Sequence, residues 1–528
     1  MFILPATTEG SPGDLVVSAS DIVSGNACAF TAVRRLDALL GRIEPPTRPR
    51  DQMLELTAAL GDTHEQAVLD RLRDAHDSRV FEVPAVTAYS RDNLLEAHAA
   101  TLGALAGHDE VVYQGSFFDG TFHGRADFLV RHGNGAWTVA DAKLARSAKP
   151  AALLQLAAYA DQLIAAGVPV ARDAVLYLGN GAHTTHPVET ILPAYREARS
   201  RLINLLEVHR AETGPAQWGD GRWPGCLALT CPDCREQIEQ TDDLMLVRGM
   251  NRPRRAALMG AGIPSLGAFA ATGLPAGADK KLAGLHLQAA MQAGTAEVDG
   301  SRNGVSYKIV RPEAISLIPA PDDGDVFFDF EGDPNWRDPR TGDWGIEYLF
   351  GLLEKDADSR PAFAPYVAHS RAEERRAFID FMAHIANRRR DHPGMRIYHY
   401  APYEATALKR LAARHRTLGR EVQDLIDAQV LFDLLPVVRQ ALVLSKRSFS
   451  IKALEPLYMP DHREGVATAV DSLVQYAKYT TAVGRGQLDA AQDIFAGILD
   501  YNEYDCLSTL KLRDWLLTLA NPGQGAAQ

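Results

Sequence analysis

Asp127, Asp141 and Lys143 are the first residues in this chain whose types and spacing can do chemistry. Asp141 and Lys143 stand two apart in WTVADAK, so on a strand both point to one sheet face. Asp127 lies in the preceding run, FHGRADFLV, across a turn containing Gly133, Asn134 and Gly135. That order predicts two antiparallel strands. Downstream, LLQLAAYADQL has apolar residues at steps of three and four, which predicts a helix with Gln155 and Tyr159 on one face. Two carboxylates can hold Mg²⁺ or Mn²⁺, and a lysine beside them can steady an attacking water or developing charge. The set suits phosphodiester hydrolysis. Asp279 with Lys281, and Gln475 with Tyr479, match one short pattern each, but the ordered combination singles out Phe122 to Leu163.

The surrounding text predicts elements able to position those groups. Ser18 or Ser20 can cap a short helix entered by Asp21, and Cys28 sits just before a second helical run. Leu54 to Leu72 reads as a helix containing His64. VPAVTAYS reads as strand-like, Asn93 to Leu105 as a helix, residues 173–180 as a strand and Ala194 to Arg210 as a helix. The length of 528 residues implies ~2–4 domains. No apolar run reaches the ~20 residues that span a bilayer, and the opening residues lack a basic, then apolar, leader pattern. A cytoplasmic protein without membrane association is expected. The net charge of −12 argues against a passive nucleic-acid coat, not against an enzyme whose metal sites need carboxylates.

Of five cysteines, Cys226, Cys231 and Cys234 are spaced C-x4-C-x2-C, and Cys28 lies far upstream. So few cysteines argue against a disulfide framework. The spacing suggests a zinc or iron–sulfur site with one distant ligand. Cys506 reads as a small buried hydrophobe.

A second set of acids lies in the last third. Residues 235–300 read as helical and Ala-rich, and Pro- and Asp-rich text at 309–325 marks a boundary. DVFFDFEGDP then predicts a buried strand with Asp329 and Glu331 on one face. WGIEYLFGLLE predicts its neighbour, and MRIYHYAPYEATALKRLA predicts a strand followed by a helix that Glu404 opens. ILDYNEYDCLSTLKLRDWL predicts a late helix with Tyr501 and Asp505 on one face. No lysine accompanies this set in the linear pattern.

The order G-x-x-D (Gly124 to Asp127), D-x-K (Asp141 to Lys143) and Q-x-x-x-Y (Gln155 to Tyr159) resembles the RecB-like branch of the PD-(D/E)xK nucleases. That resemblance implies His64, followed by Glu65, as a further metal ligand. With one cysteine before these motifs and three after, it also implies a 4Fe–4S cluster on Cys28, Cys226, Cys231 and Cys234, with zinc as the alternative. The later acids resemble the RNase H-like DEDD exonucleases that carry Tyr in their last motif. This implies metal ligation by Asp329, Glu331, Glu404 and Asp505, with Tyr501 orienting water. Glu404 departs from the Asp usual there, and Asp433 is its rival. Almost the whole chain resembles RecB-like nucleases with a C-terminal YprB-type RNase H-like domain.

The expected fold is multidomain α/β. It comprises a restriction-endonuclease-like PD-(D/E)xK domain at 1–236, a helical, helix-hairpin-helix-like region at 237–318 and an RNase H-like domain at 319–528. The resemblance implies a metal-dependent exonuclease on DNA ends in repair or recombination, with RNA as an alternative substrate. There is no P-loop motif, so any helicase must be a separate partner. The rival expectation is a nucleic-acid-binding adaptor with degenerate sites that recruits a helicase.

Overall fold

The runs flanking Gly133 to Gly135 form a hairpin of strands His123–Arg131 and Trp137–Lys143, paired from Phe128 with Ala140 to Arg131 with Trp137. The Asn134 side chain accepts from the Ala136 amide at 3.1 Å, and Gly135 takes the positive φ of +81° that closes the turn. The protein is described by a computed structural model covering residues 1–6, 13–46, 50–77, 79–274, 277–356, 358, 360–460 and 469–520. The chain divides into two compact units, Met1–Gln240 and Thr241–Gln528.

In the first unit the hairpin sits inside a six-stranded sheet ordered Val80–Glu82, Val111–Phe118, His123–Arg131, Trp137–Lys143, Asp173–Leu178, His183–Pro187. Trp137–Lys143 and Asp173–Leu178 run parallel, joined by the crossover helix Pro150–Ala165. Leu129 and Val139 face a core with Leu156, Ala160 and Leu163 of that helix. Phe128 and Ala140, one step along, instead meet Val68, Leu69 and Leu72 of the helix Gln52–Ala75. Strand alternation thus places Asp127, Asp141 and Lys143 toward the crossover helix. Each fully buried leucine there contributes about 1.5–3 kcal/mol. Ser18 caps the helix Ala19–Ala27 in a reciprocal box with Asp21, as the Ser-x-x-Asp spacing predicts.

The strand expected at VPAVTAYS forms only as Val80–Glu82, ahead of that stretch. Pro84 lacks the amide a ladder needs.

In the second unit, helices Arg252–Gly260, Leu266–Ala271 and Lys280–Ala293 share a small core of Leu258, Leu266, Phe269 and Leu285. The helical character expected through residue 318 ends sooner. Gly300–Arg302 and Val305–Ile309 form a hairpin, and Leu442–Leu444 adds a third strand. Its turn is Asn303-Gly304, with φ of 48° and 72°, the two-residue turn that Asn-Gly favours.

The five-stranded sheet has the order Pro361–Val367, Trp344–Lys355, Val326–Arg337, Ile397–His399, Leu431–Asp433. Its first three strands are antiparallel and the last two join in parallel. The long helix Leu488–Ala520 packs against the central strand Val326–Arg337. No described helix is long and apolar enough to cross a membrane.

Candidate functional site

Asp329 and Glu331 project from the central strand, and Asp505 comes to them from the long helix. One ligand oxygen of each lies within 4.8 Å of the others. The helix seats closely because Gly351 stands opposite Asp329 in the ladder. A Cβ on Gly351 would fall 1.6 Å from Asn502 Oδ1. Asn502 in turn donates from Nδ2 to Asp329 Oδ2 at 2.7 Å. Glu331 Oε2 accepts from Ser472 Oγ at 2.8 Å and Tyr348 Oη at 3.5 Å. Burial, reinforced by the Asp505 charge, pushes the Glu331 carboxyl up to about 8, so without a cation it holds a proton at neutral pH. Tyr501, one turn before Asp505, is buried, and Lys452 Nζ donates to its hydroxyl at 2.7 Å.

Glu404 does not join the three-acid group. It is buried at the start of the helix Tyr403–His415, with Oε2 3.1 Å from His399 Nδ1. Burial raises the Glu404 pKa and the nearby His399 opposes the rise, while His399 Nδ1 lies 2.8 Å from the Ala401 carbonyl and Glu404 Oε2 receives no hydrogen bond of ordinary geometry. Burial works to lower His399, but Glu404 outweighs it and the net shift is upward. Asp433, the rival, accepts the amides of Ala401 and Leu435, both at 2.9 Å, and caps the helix Leu434–Ala441.

In the first unit, Lys143 Nζ lies 2.7 Å from Asp141 Oδ2, an atom that is buried and receives no hydrogen bond of ordinary geometry. Asp127 Oδ2 accepts the Ala142 amide at 3.1 Å. Burial, then the neighbouring Asp141 charge, pushes Asp127 up to about 7. Burial would lower Lys143, but Asp141 and Asp127 outweigh it and its pKa rises. The phenol of Tyr159 is raised by burial, then by the charges of Asp127 and Asp141. Gly124 leaves room for its ring, since a Cβ there would lie 2.9 Å from Tyr159 Cε1. Gln155 stands one turn earlier, half-buried on the same helix. His64 is buried with Nε2 3.3 Å from the Tyr177 carbonyl. Among the described residues no third donor joins Asp127 and Asp141 at mutual ligand spacing.

Cys28 lies between helices Ala19–Ala27 and Ala29–Leu39, and Cys234 within the helix Pro232–Gln240. The four sulfurs of Cys28, Cys226, Cys231 and Cys234 lie within 4.8 Å of one another. Cys28 to Cys234 is 3.5 Å and Cys226 to Cys234 is 3.6 Å, with no disulfide. The hydrogen bond from Cys234 holds the Cys28 thiol down at about 4, against burial, while Cys234 is pushed up. Four converging thiols of which one is poised as thiolate form a soft donor set for a metal.

Residues 326–517 match the family model of the RNase H superfamily. No curated protein and no solved structure matches the chain. The C-terminal unit therefore carries an RNase H-like domain, whose match points to a nuclease-type hydrolase. Asp329, Glu331, Tyr501 and Asp505 all fall inside the matched stretch.

Three residues of the RNase H-like site have no sequence signal of the kind used for the acids: Ser472, Asn502 and Lys452. Asn502 could have been found only as the neighbour of Tyr501. The absence of lysine expected for this set is corrected by Lys452, which arrives from the separate helix Ile451–Tyr458. In the first unit, Glu65 is the additional residue. Its Oε1 accepts from Tyr113 Oη at 2.9 Å and Gln114 Nε2 at 2.5 Å, and burial and the Asp127 charge raise its pKa. Gln114 faces the Asp127 position where the ladder is interrupted, and takes a positive φ of 56°.

Proposed function

We propose that this chain is a divalent-metal-dependent nuclease with one hydrolytic centre in each unit, acting on DNA with single-stranded ends in repair or recombination. The observation that carries the reading is the convergence of Asp329, Glu331 and Asp505 inside the RNase H-like stretch. The donor set fits a hard cation. All three donors are carboxylates, and burial together with the Asp505 charge raises Glu331, the strain a bound cation would relieve. Mg²⁺ or Mn²⁺ bound there supplies Lewis acidity toward the phosphate and a more acidic water. Asn502 and Ser472 fix the rotamers of Asp329 and Glu331, and Tyr501 orients the water.

The N-terminal centre is read as PD-(D/E)xK-type. Support comes from its three antiparallel strands, crossover helix and parallel strand, with both acids on the face toward Tyr159. Asp127 and Asp141 hold the cation, with Lys143 Nζ paired to Asp141 Oδ2 at its side. Lys143 places its charge beside the attacking water. His64 as a further metal ligand and Gln155 as a catalytic residue remain the reading that the family resemblance implies. The four cysteines form a structural metal site. Their convergence and thiol chemistry suit the expected 4Fe–4S cluster, with tetrahedral zinc as the alternative, and iron and zinc analysis of the purified protein separates the two.

A second reading, a nucleic-acid-binding adaptor, is favoured by Glu404, which lies beside His399 and outside the three-acid cluster. End-labelled single- and double-stranded DNA and RNA, digested with Mn²⁺ or Mg²⁺, distinguish the two. The nuclease reading expects Asp141→Ala to remove one product pattern, Asp329→Ala another, and the folded double variant to be inert. Intact substrate in every lane, wild type included, leaves the adaptor.

A further inference from the structure

We propose that Lys452 is a positioning residue of the C-terminal hydrolytic centre, fixing the Tyr501 hydroxyl beside Asp329, Glu331 and Asp505. The inference rests on the hydrolytic reading of that centre.

Lys452 Nζ lies 2.7 Å from the Tyr501 oxygen and 4.8 Å from the centroid of its ring. An ammonium has donors and no acceptor. The phenol must therefore accept this bond, and its own proton points away from Lys452. The contact is thus directional. It sets the tilt of the Tyr501 ring and the side on which its O–H is presented. Tyr501 and Asp505 are one helical turn apart, so whatever holds the first orients it relative to the second. The Lys452 charge also acts on Glu331 and opposes the burial that raises that carboxyl. Lys452 ties helix Ile451–Tyr458 to helix Leu488–Ala520, which packs on the strand Val326–Arg337 that carries Asp329 and Glu331.

The step served is hydrolysis. A water oxygen bonds to phosphorus and loses its proton. The bond from phosphorus to the leaving nucleoside oxygen breaks, and that oxygen takes up a proton. Nothing is oxidised or reduced. Tyr501, fixed by Lys452, holds the water in line with the bond that breaks.

The test uses full-length protein carrying Asp141→Ala, so that only the C-terminal centre can cut. Lys452→Met, Lys452→Arg, Tyr501→Phe and the Lys452→Met/Tyr501→Phe pair are compared on a single-stranded oligonucleotide with Mn²⁺. Lys452→Met should lower kcat about tenfold or more with KM little changed. The pair should be no slower than the worse single variant, because lysine acts through tyrosine. Lys452→Arg should recover part of the rate, since it keeps a charged donor. Mn²⁺ titration followed by paramagnetic resonance gives a readout that mere loosening would not produce. Loss of a nearby cation should tighten binding at the acids about fivefold, whereas structural damage weakens it. A Lys452→Met rate equal to the parent, multiplicative losses in the pair, or weakened Mn²⁺ binding overturns the proposal. Cleavage unaffected by Asp329→Ala instead sinks the hydrolytic reading, and the proposal with it.

Discussion

Asp127 shows how much an acid pair gives up when no cation is bound. Its carboxyl is pushed to about 7 by burial and by Asp141, whereas an unfolded aspartate titrates near ~3.9. Between those values the folded chain binds more protons than the unfolded one. Its stability therefore falls as pH rises through that window and levels off above it. Asp127→Asn removes the titration while its amide oxygen can still accept from Ala142. In EDTA, the first unit of Asp127→Asn should gain on wild type by on the order of 5 °C in Tm between pH 4.5 and 8. Melting curves across that range check it, and parallel Tm–pH lines for the two proteins would refute it. Glu331, raised in the other unit, is common to both proteins and cancels in the difference. The same proton must leave before a cation enters, so Mn²⁺ affinity at Asp127 and Asp141 should rise with pH up to neutrality.

Individual elements place these residues through close approaches that a bulkier side chain would spoil. Gly351 admits Asn502 and with it the helix that carries Tyr501 and Asp505. Gly351→Ala should cost about 3 kcal/mol and abolish Asp329-dependent cleavage while Asp141-dependent cleavage persists. Denaturant melts together with the two product patterns measure both effects, and an unaltered Asp329-dependent pattern would show that the helix tolerates the displacement. The period-two runs around Asp127, Asp141, Asp329 and Glu331 and the helical steps at Tyr159 and Asp505 were legible in the text, because strand and helix periodicities decide which side chains share a face. Lys452 was not, because it joins Tyr501 through tertiary packing across separate helices. Gln114 was not either, since its positive φ arises from the interrupted ladder opposite Asp127 and has no glycine to announce it. The hairpin at Asn303-Gly304 was legible in principle from Asn-Gly before the alternating VSYKI run, but the helical region was extended across it to residue 318. Glu404 illustrates the converse: its place at the head of a helix was readable, but its partner His399 was not.

At the scale of the whole molecule, each unit has its own core and its own acids, and the first also has the cysteine site. A net charge of −12 makes general attraction to a polyanion unfavourable, so nucleic acid must be held by local cations and bound metal at each centre. The cysteine site ties Cys28 to a segment about two hundred residues later in sequence, joining the start and end of the first unit. A metal holding residues so far apart removes much of the unfolded chain's freedom, so its loss should be felt by that unit above all. Cys28→Ser should abolish the bound metal, about four irons or one zinc per chain by elemental analysis. It should also lower the melting of the first unit by on the order of 10 °C. Asp329-dependent cleavage should survive, because the RNase H-like core contains none of these ligands. Calorimetry of wild type and Cys28→Ser, followed by the Asp329-dependent assay at a temperature between the two transitions, decides the matter. A single transition that moves as a whole, with both activities lost together, would mean that the two units fold as one and that the cysteine metal stabilises the entire chain.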